Sequence, residues 1–116
     1  MKEINIDGII YVPKEEKTEG MEYKIVRTYS AGVFAGYIES INGKEVVLRN
    51  VRRIWYWKGA CSLSELAVNG TCKPDECKFA IAVDKILVTE AIEILDVTEE
   101  AKKSIEGVKA WEMNKK

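Results

Sequence analysis

The chain contains no histidine. That absence removes the Ser-His-Asp and Cys-His nucleophile pairs, the usual proton shuttle at neutral pH and the commonest metal ligand, and most hydrolase mechanisms leave with it. Cysteine is scarce as well: Cys61, Cys72 and Cys77 are odd in number and spaced unlike any four-ligand zinc site, so no metal is expected and buried free thiols in a reducing compartment are. Long apolar runs are missing, since Lys2, Glu3 and Asp7 interrupt Met1 to Pro13 and no window nears the roughly 18 residues of a membrane span; neither a signal peptide nor an anchor is expected. An excess of one charge is missing too. Eighteen Lys and Arg against nineteen Asp and Glu leave a net charge of -1, without the basic surplus of a protein that coats DNA or RNA. Any nucleotide must therefore be held by a local site, and no long nucleic acid is expected as a partner.

What is present is enough for one core. The 116 residues are 47% hydrophobic and 32% charged, which suits a single folded domain. Residues 1–22 read as an N-terminal edge segment and linker: Ile4 to Val12 is a short strand pair with turn chemistry at Asn5-Ile6-Asp7-Gly8, and Lys14 to Glu22 is charged and aperiodic. Residues 23–116 read as the main domain. Tyr23 to Tyr29, Val33 to Ile38 and Lys44 to Leu48 are rich in β-branched and aromatic residues and form a meander. Its second connection, Ile41-Asn42-Gly43, has the chemistry of a type I′ hairpin turn.

Arg49 to Trp57 prolongs the third strand through a bulge or forms a bent successor, with Arg53, Trp55 and Trp57 on one face and Arg52, Ile54 and Tyr56 on the other. Ser62 to Gly70 carries a Ser cap, a Glu three residues on and a terminal Gly, which predicts a short helix. Thr71 to Lys78 is a loop, and Phe79 to Leu95 supplies one or two closing strands, with Ala91 to Leu95 expected in the centre of the sheet. Thr98 to Glu106 is a second capped helix, acidic at its start and ended by Gly107. Trp111 lies in a tail that needs a dock. The predicted fold is α+β: a curved antiparallel β-sheet with a short inserted helix and a C-terminal helix.

Catalysis finds little support, because Glu39, Glu45, Asp84, Glu90, Glu93 and Asp96 fall at strand ends and turns without a placeable partner. The densest chemistry is arginine beside aromatics. Arg27, Tyr29 and Phe34 flank the Ser30-Ala31-Gly32 turn, and Arg49, Arg52, Arg53, Trp55, Tyr56 and Trp57 cluster further on. Guanidinium forks fit phosphate oxygens, aromatic faces fit bases, and a Gly-containing turn lets backbone N–H groups approach an anion. The competing account is a half-buried sheet with aromatics in the core and arginines outside it.

The run Tyr23 to Gly36, followed by Arg52-Arg53-Ile54-Trp55-Tyr56-Trp57, Ala60, Ser62-Leu63-Ser64 and Leu66-Ala67, resembles a family of small phage proteins, the first type of Thoeris anti-defence protein. The resemblance spans most of Tyr23 to Trp111. It implies a sponge that sequesters a cyclic nucleotide second messenger, the cyclic ADP-ribose isomer made by bacterial TIR-domain proteins, in the cytoplasm of the infected host. It further implies a β-rich core with C-terminal helices, no turnover of ligand, no cofactor, and homo-oligomers from dimers up to hexamers, with related proteins also capturing cyclic oligonucleotides. The matched runs and their chemistry nominate Arg27, Ser30, Ala31, Gly32, Phe34, Arg52, Arg53 and Trp57 as ligand-binding. Phe79, as a base platform, and Lys109, as a cation near the C-terminus, lie outside the matched runs and are added on their chemistry alone, which a structural role would suit equally. Two alternatives stay open: a nucleic-acid-binding phage regulator, and a structural or inhibitory protein-binding module.

Overall fold

The computed structural model describes residues 4–6, 9–11 and 18–113. Strands β1 (Ile4–Ile6) and β2 (Ile9–Tyr11) pair antiparallel, Ile4 opposite Tyr11 and Ile6 opposite Ile9, as the expected strand pair. The expected turn residues Asp7 and Gly8, and residues 14–17 of the expected linker, lie outside the described residues.

Six further strands form one antiparallel sheet: β3 (Glu22–Thr28), β4 (Val33–Asn42), β5 (Glu45–Tyr56), β6 (Lys78–Phe79), β7 (Val83–Val88) and β8 (Ala91–Asp96). They run in the order β6-β5-β4-β3-β8, with β7 also on β5. Two helices complete the chain, the short α1 (Leu63–Asn69) in its middle and α2 (Glu99–Glu106) near its end. The architecture is the α+β fold with a curved antiparallel sheet.

Alternation along the meander builds two cores. Tyr23 and Ile25 of β3, Ala35 of β4 and Ile54 of β5 face the helices, where they meet Leu66, Ala67, Ile105 and Phe79. Their neighbours Val26, Phe34 and Val51 face the other way and pack with Val46, Leu48 and Val88. Among the described residues no helix packs on that second core, and the sheet covers it by bending. Strands β7 and β8 run in the same direction with only Thr89 and Glu90 between them, yet one pairs with β5 and the other with β3. A flat sheet would hold them four strand spacings apart, about 19 Å, whereas three residue steps reach about 11 Å at most. The sheet therefore curls. The β4–β5 register shifts between Ala35 and Tyr37 and between Ile38 and Ser40, and Asn50 takes a left-handed φ of 46°, a conformation Asn tolerates better than most residues. Bulges of this kind bend a strand and raise its twist.

Several local expectations change. Strand β8 pairs with β3 alone among the described residues and ends the strand order, so Ala91 to Leu95 is not central. The β4–β5 turn is Gly43-Lys44, and only Gly43 (φ 64°) has positive φ; glycine at the first turn position is the type II′ pattern, whereas type I′ needs two positive φ angles. Trp55 and Tyr56 are both exposed, and Trp57 packs on the helix-side core with Ile54. The register shift of β5 against β6 between Ile54 and Tyr56 breaks the alternation, so Trp57 does not share a face with Arg53. Cys77 alone is buried, while Cys61 and Cys72 are exposed; all three are free.

The helix caps follow the sequence. Ser62 Oγ accepts from the Glu65 N–H at 3.1 Å, the Glu65 carboxylate accepts from the Cys61 N–H at 2.7 Å, and Gly70 (φ 76°) donates to Leu66 O at 2.9 Å. The Thr98 hydroxyl accepts from the Ala101 N–H and donates to Val68 O at 2.7 Å, tying the start of α2 to the end of α1. The tail docks on β6, where the Trp111 N–H donates to Phe79 O at 2.8 Å.

Candidate functional site

The four arginines have different fates. Arg27 stands opposite Glu93 on β8, and its Nε donates to Glu93 Oε1 at 2.7 Å. Arg49 is held by Glu39 at 2.6 Å and Asp84 at 3.3 Å. Arg52 is 7% exposed on the helix side of β5 and donates to four carbonyls: Ala80 at 2.9 Å, Ile105 at 3.0 Å, Val108 at 2.8 Å and Phe79 at 3.3 Å. Burial lowers its pKa from the ordinary arginine value. Its donors are spent on the fold.

Arg53 lies on the opposite face. Its guanidinium carbon sits 4.7 Å from the centre of the Phe34 ring, its cross-strand partner, and its Nε donates to Ala31 O at 3.3 Å. A Cβ added at Gly32 would stand 3.9 Å from the Arg53 chain. The terminal amino groups of Arg53 have no protein acceptor among the described residues. Such a guanidinium is oriented by a ring and a carbonyl while keeping donors for a planar anion.

The turn beside it closes on itself. Thr28 Oγ1 accepts from the Ala31 N–H at 2.9 Å and donates to Gly32 O at 2.7 Å, and Gly32 has a φ of 103° that a side chain would strain. Ser30 Oγ donates to Glu90 at 2.8 Å. Its hydroxyl, like Arg27, thus faces a carboxylate.

The structure brings Arg53, Ala31, Gly32 and Phe34 together. Ser30 is adjacent, and Arg27 projects from the other face, as its register with Val33 requires. Phe34 is 1% exposed and serves as the floor beneath Arg53, with no open face for a base. Phe79 is fully buried with the Arg52 guanidinium 5.4 Å from its ring centre, Trp57 is half-buried on the helix side, and Lys109 is exposed between Val108 and Trp111. These three and Arg52 do not converge on Arg53.

Two further side chains stand out that the sequence does not single out as a pair. Trp55 and Trp111 are 63% and 51% exposed and meet edge to face, ring centres 6.4 Å apart, with the Lys78 ammonium 5.2 Å from the Trp111 centre. The available signal is the density of aromatics around Trp55; its exposure follows from the bulge. A cavity of about 370 Å³ opens at the other end of β3, lined by Met21, Lys24, Ile38, Ile41, Ile94 and Asp96 among others. Within it the Lys24 ammonium lies between Glu22 and Asp96, whose hydrogen bonds raise its pKa.

Among the described residues no group of three Cys, Asp or Glu is placed to hold a metal ion, and no helix is long and apolar enough to cross a membrane. The class defined by these features is a small α+β domain with a curled sheet that exposes an oriented arginine and a tryptophan pair. Residues 21–105 match the family described as a domain of unknown function (DUF6948), and the chain belongs to that family. No curated protein and no solved structure matches it.

Proposed function

We propose that the chain binds and sequesters a small anionic nucleotide, a cyclic ADP-ribose isomer or a related cyclic oligonucleotide, and releases it chemically unchanged. One observation carries the reading: of four arginines, Arg53 alone is held in place by protein contacts yet has neither a carboxylate partner nor a full set of carbonyls. The resemblance of Tyr23 to Gly36 and Arg52 to Trp57 to phage Thoeris anti-defence proteins supports the same ligand class, and on this reading the protein acts in the cytoplasm of an infected bacterial host. The missing histidine supports capture over turnover. Arg53 is half-buried with its terminal amino groups left without a protein acceptor among the described residues, so a second copy of the chain is proposed to close the site, with a dimer as the smallest functional unit.

The test is native mass spectrometry of protein purified from cells making the TIR-derived cyclic ADP-ribose isomer, followed by heat denaturation and chromatography of the supernatant. An adduct on a dimer or larger assembly, with intact ligand recovered, is expected. A cleaved product would make the protein an enzyme. Binding of long polyanions with a steep salt dependence would make it a nucleic-acid regulator, and no binding of either would leave a structural or inhibitory module.

A further inference from the structure

Trp55 exposes most of an indole that burial would stabilise. The ring has one aromatic neighbour: Trp111 meets it edge to face at an interplanar angle of 75°, the Trp111 backbone N–H donates to Phe79 O, and the Lys78 ammonium lies over the Trp111 ring. That contact meets part of the cost of ordering Trp55 before any ligand arrives. Arg53 stands two residues earlier on the same strand, about 7 Å away along the chain. Lys78, the neighbour of helix-side Phe79, brings its ammonium over the Trp111 ring that meets Trp55, which puts Trp55 with Arg53 on the face opposite the helices.

We infer that Trp55 is the stacking platform for the base of a nucleotide whose phosphate is held by Arg53. This rests on the functional reading above and adds the residue that reads the base. Each half supplies what the other lacks: the guanidinium takes phosphate oxygens, and the indole takes the flat π-face that every base presents. Lys78 over the Trp111 ring adds positive charge beside the platform. Phe34 and Phe79 cannot do this work, because both are buried.

The experiment is isothermal titration of wild type, W55A, W55F and R53A with two probes, the TIR-derived cyclic ADP-ribose isomer and base-free ribose 5-phosphate at high concentration, with tryptophan fluorescence followed in parallel. Quenching of wild-type fluorescence by the cyclic nucleotide is expected. W55A should bind that ligand on the order of tenfold more weakly or worse, W55F should recover most of the loss, and neither should change the response to ribose 5-phosphate. R53A should lose both probes. Wild-type binding that W55A leaves unchanged would overturn the platform and leave the functional reading standing. A wild type that ignores the cyclic nucleotide would overturn both.

Discussion

The Arg52 guanidinium donates to the Val108 carbonyl at 2.8 Å across 56 positions of sequence, and to Ile105 of the same helix end at 3.0 Å. A central strand is thereby tied to the C-terminal end of α2, where unpaired carbonyls and the helix dipole favour a cation. Removing the side chain takes their Arg52 donor from the Ala80 and Val108 carbonyls in a closed environment, while Phe79 O keeps the Trp111 backbone N–H and Ile105 O the Val108 N–H. Arg52→Ala is expected to cost about 3 kcal/mol in urea unfolding, and Arg52→Lys to recover little, because one ammonium cannot reproduce the planar fork. Arg53→Ala should unfold within about 0.5 kcal/mol of wild type. Equal losses at the two positions would contradict the assignment of one to the fold and the other to a ligand.

Gly36 marks a close approach of β4 to β5. A Cβ there would stand 2.7 Å from the Val51 Cβ and 2.9 Å from its Cα, so the backbone itself would have to yield. Gly36→Ala is expected to destabilise by about 2 kcal/mol through overpacking. The double variant with Val51→Ala should recover only part of that loss, since shortening the side chain leaves the clash with the β5 backbone in place. Thermal unfolding of wild type and the two variants decides it; a Gly36→Ala protein as stable as wild type would mean that the strands separate freely at this point.

The strands and helices were legible because their signals are local. Ser62, Glu65 and Gly70 announce α1, Thr98 and Gly107 announce α2, and β-branched runs announce the meander. Period-two alternation separated Arg52 from Arg53 but left open which one faces inward, since that depends on α2, whose Ile105 lies 53 residues later in the chain. The curl was hidden for the same reason. No residue near Val88 or Ala91 states that one strand pairs with β5 and the next with β3; the bulges at Asn50 and Glu39 that permit it look in sequence like ordinary strand residues. The exposure of Trp55 follows from a bulge against a strand of two residues, and nothing local marks it.

The cysteines should divide by accessibility. Cys61 and Cys72 are exposed, while Cys77 is 8% exposed with its sulfur against the Lys58 carbonyl at 3.5 Å and the Lys73 carbonyl at 3.6 Å. A thiol-reactive chromophore should label two sites quickly under native conditions and the third only in denaturant, because a closed thiol reacts through opening of its surroundings. Three rates of similar size would show that the loop from Thr71 to Lys78 opens readily.

Alkaline pH should weaken the fold through Tyr23. Its ring is 7% exposed and meets Tyr37 edge to face at 5.0 Å, and burial, followed by the negative charge of Glu106, raises its pKa well above the ordinary 10.0. In the unfolded chain the phenol loses its proton near that ordinary value, whereas in the fold it keeps it. Above the ordinary value the unfolded state binds fewer protons than the native state, so stability falls as pH rises. The contribution is full below pH 10 and disappears as the pH climbs through the raised native value, with a slope of up to about 1.4 kcal/mol per pH unit. Tyr37, whose pKa is raised by partial burial and then by Glu106, adds a smaller fall of the same sign. Urea midpoints taken from about pH 8.5 to about pH 11.5 should decline less steeply in Tyr23→Phe than in wild type, with the Tyr37 share still present in the variant. Parallel declines in the two proteins would mean that the Tyr23 phenol ionises as freely in the fold as outside it, and that the helix-side core around it admits water.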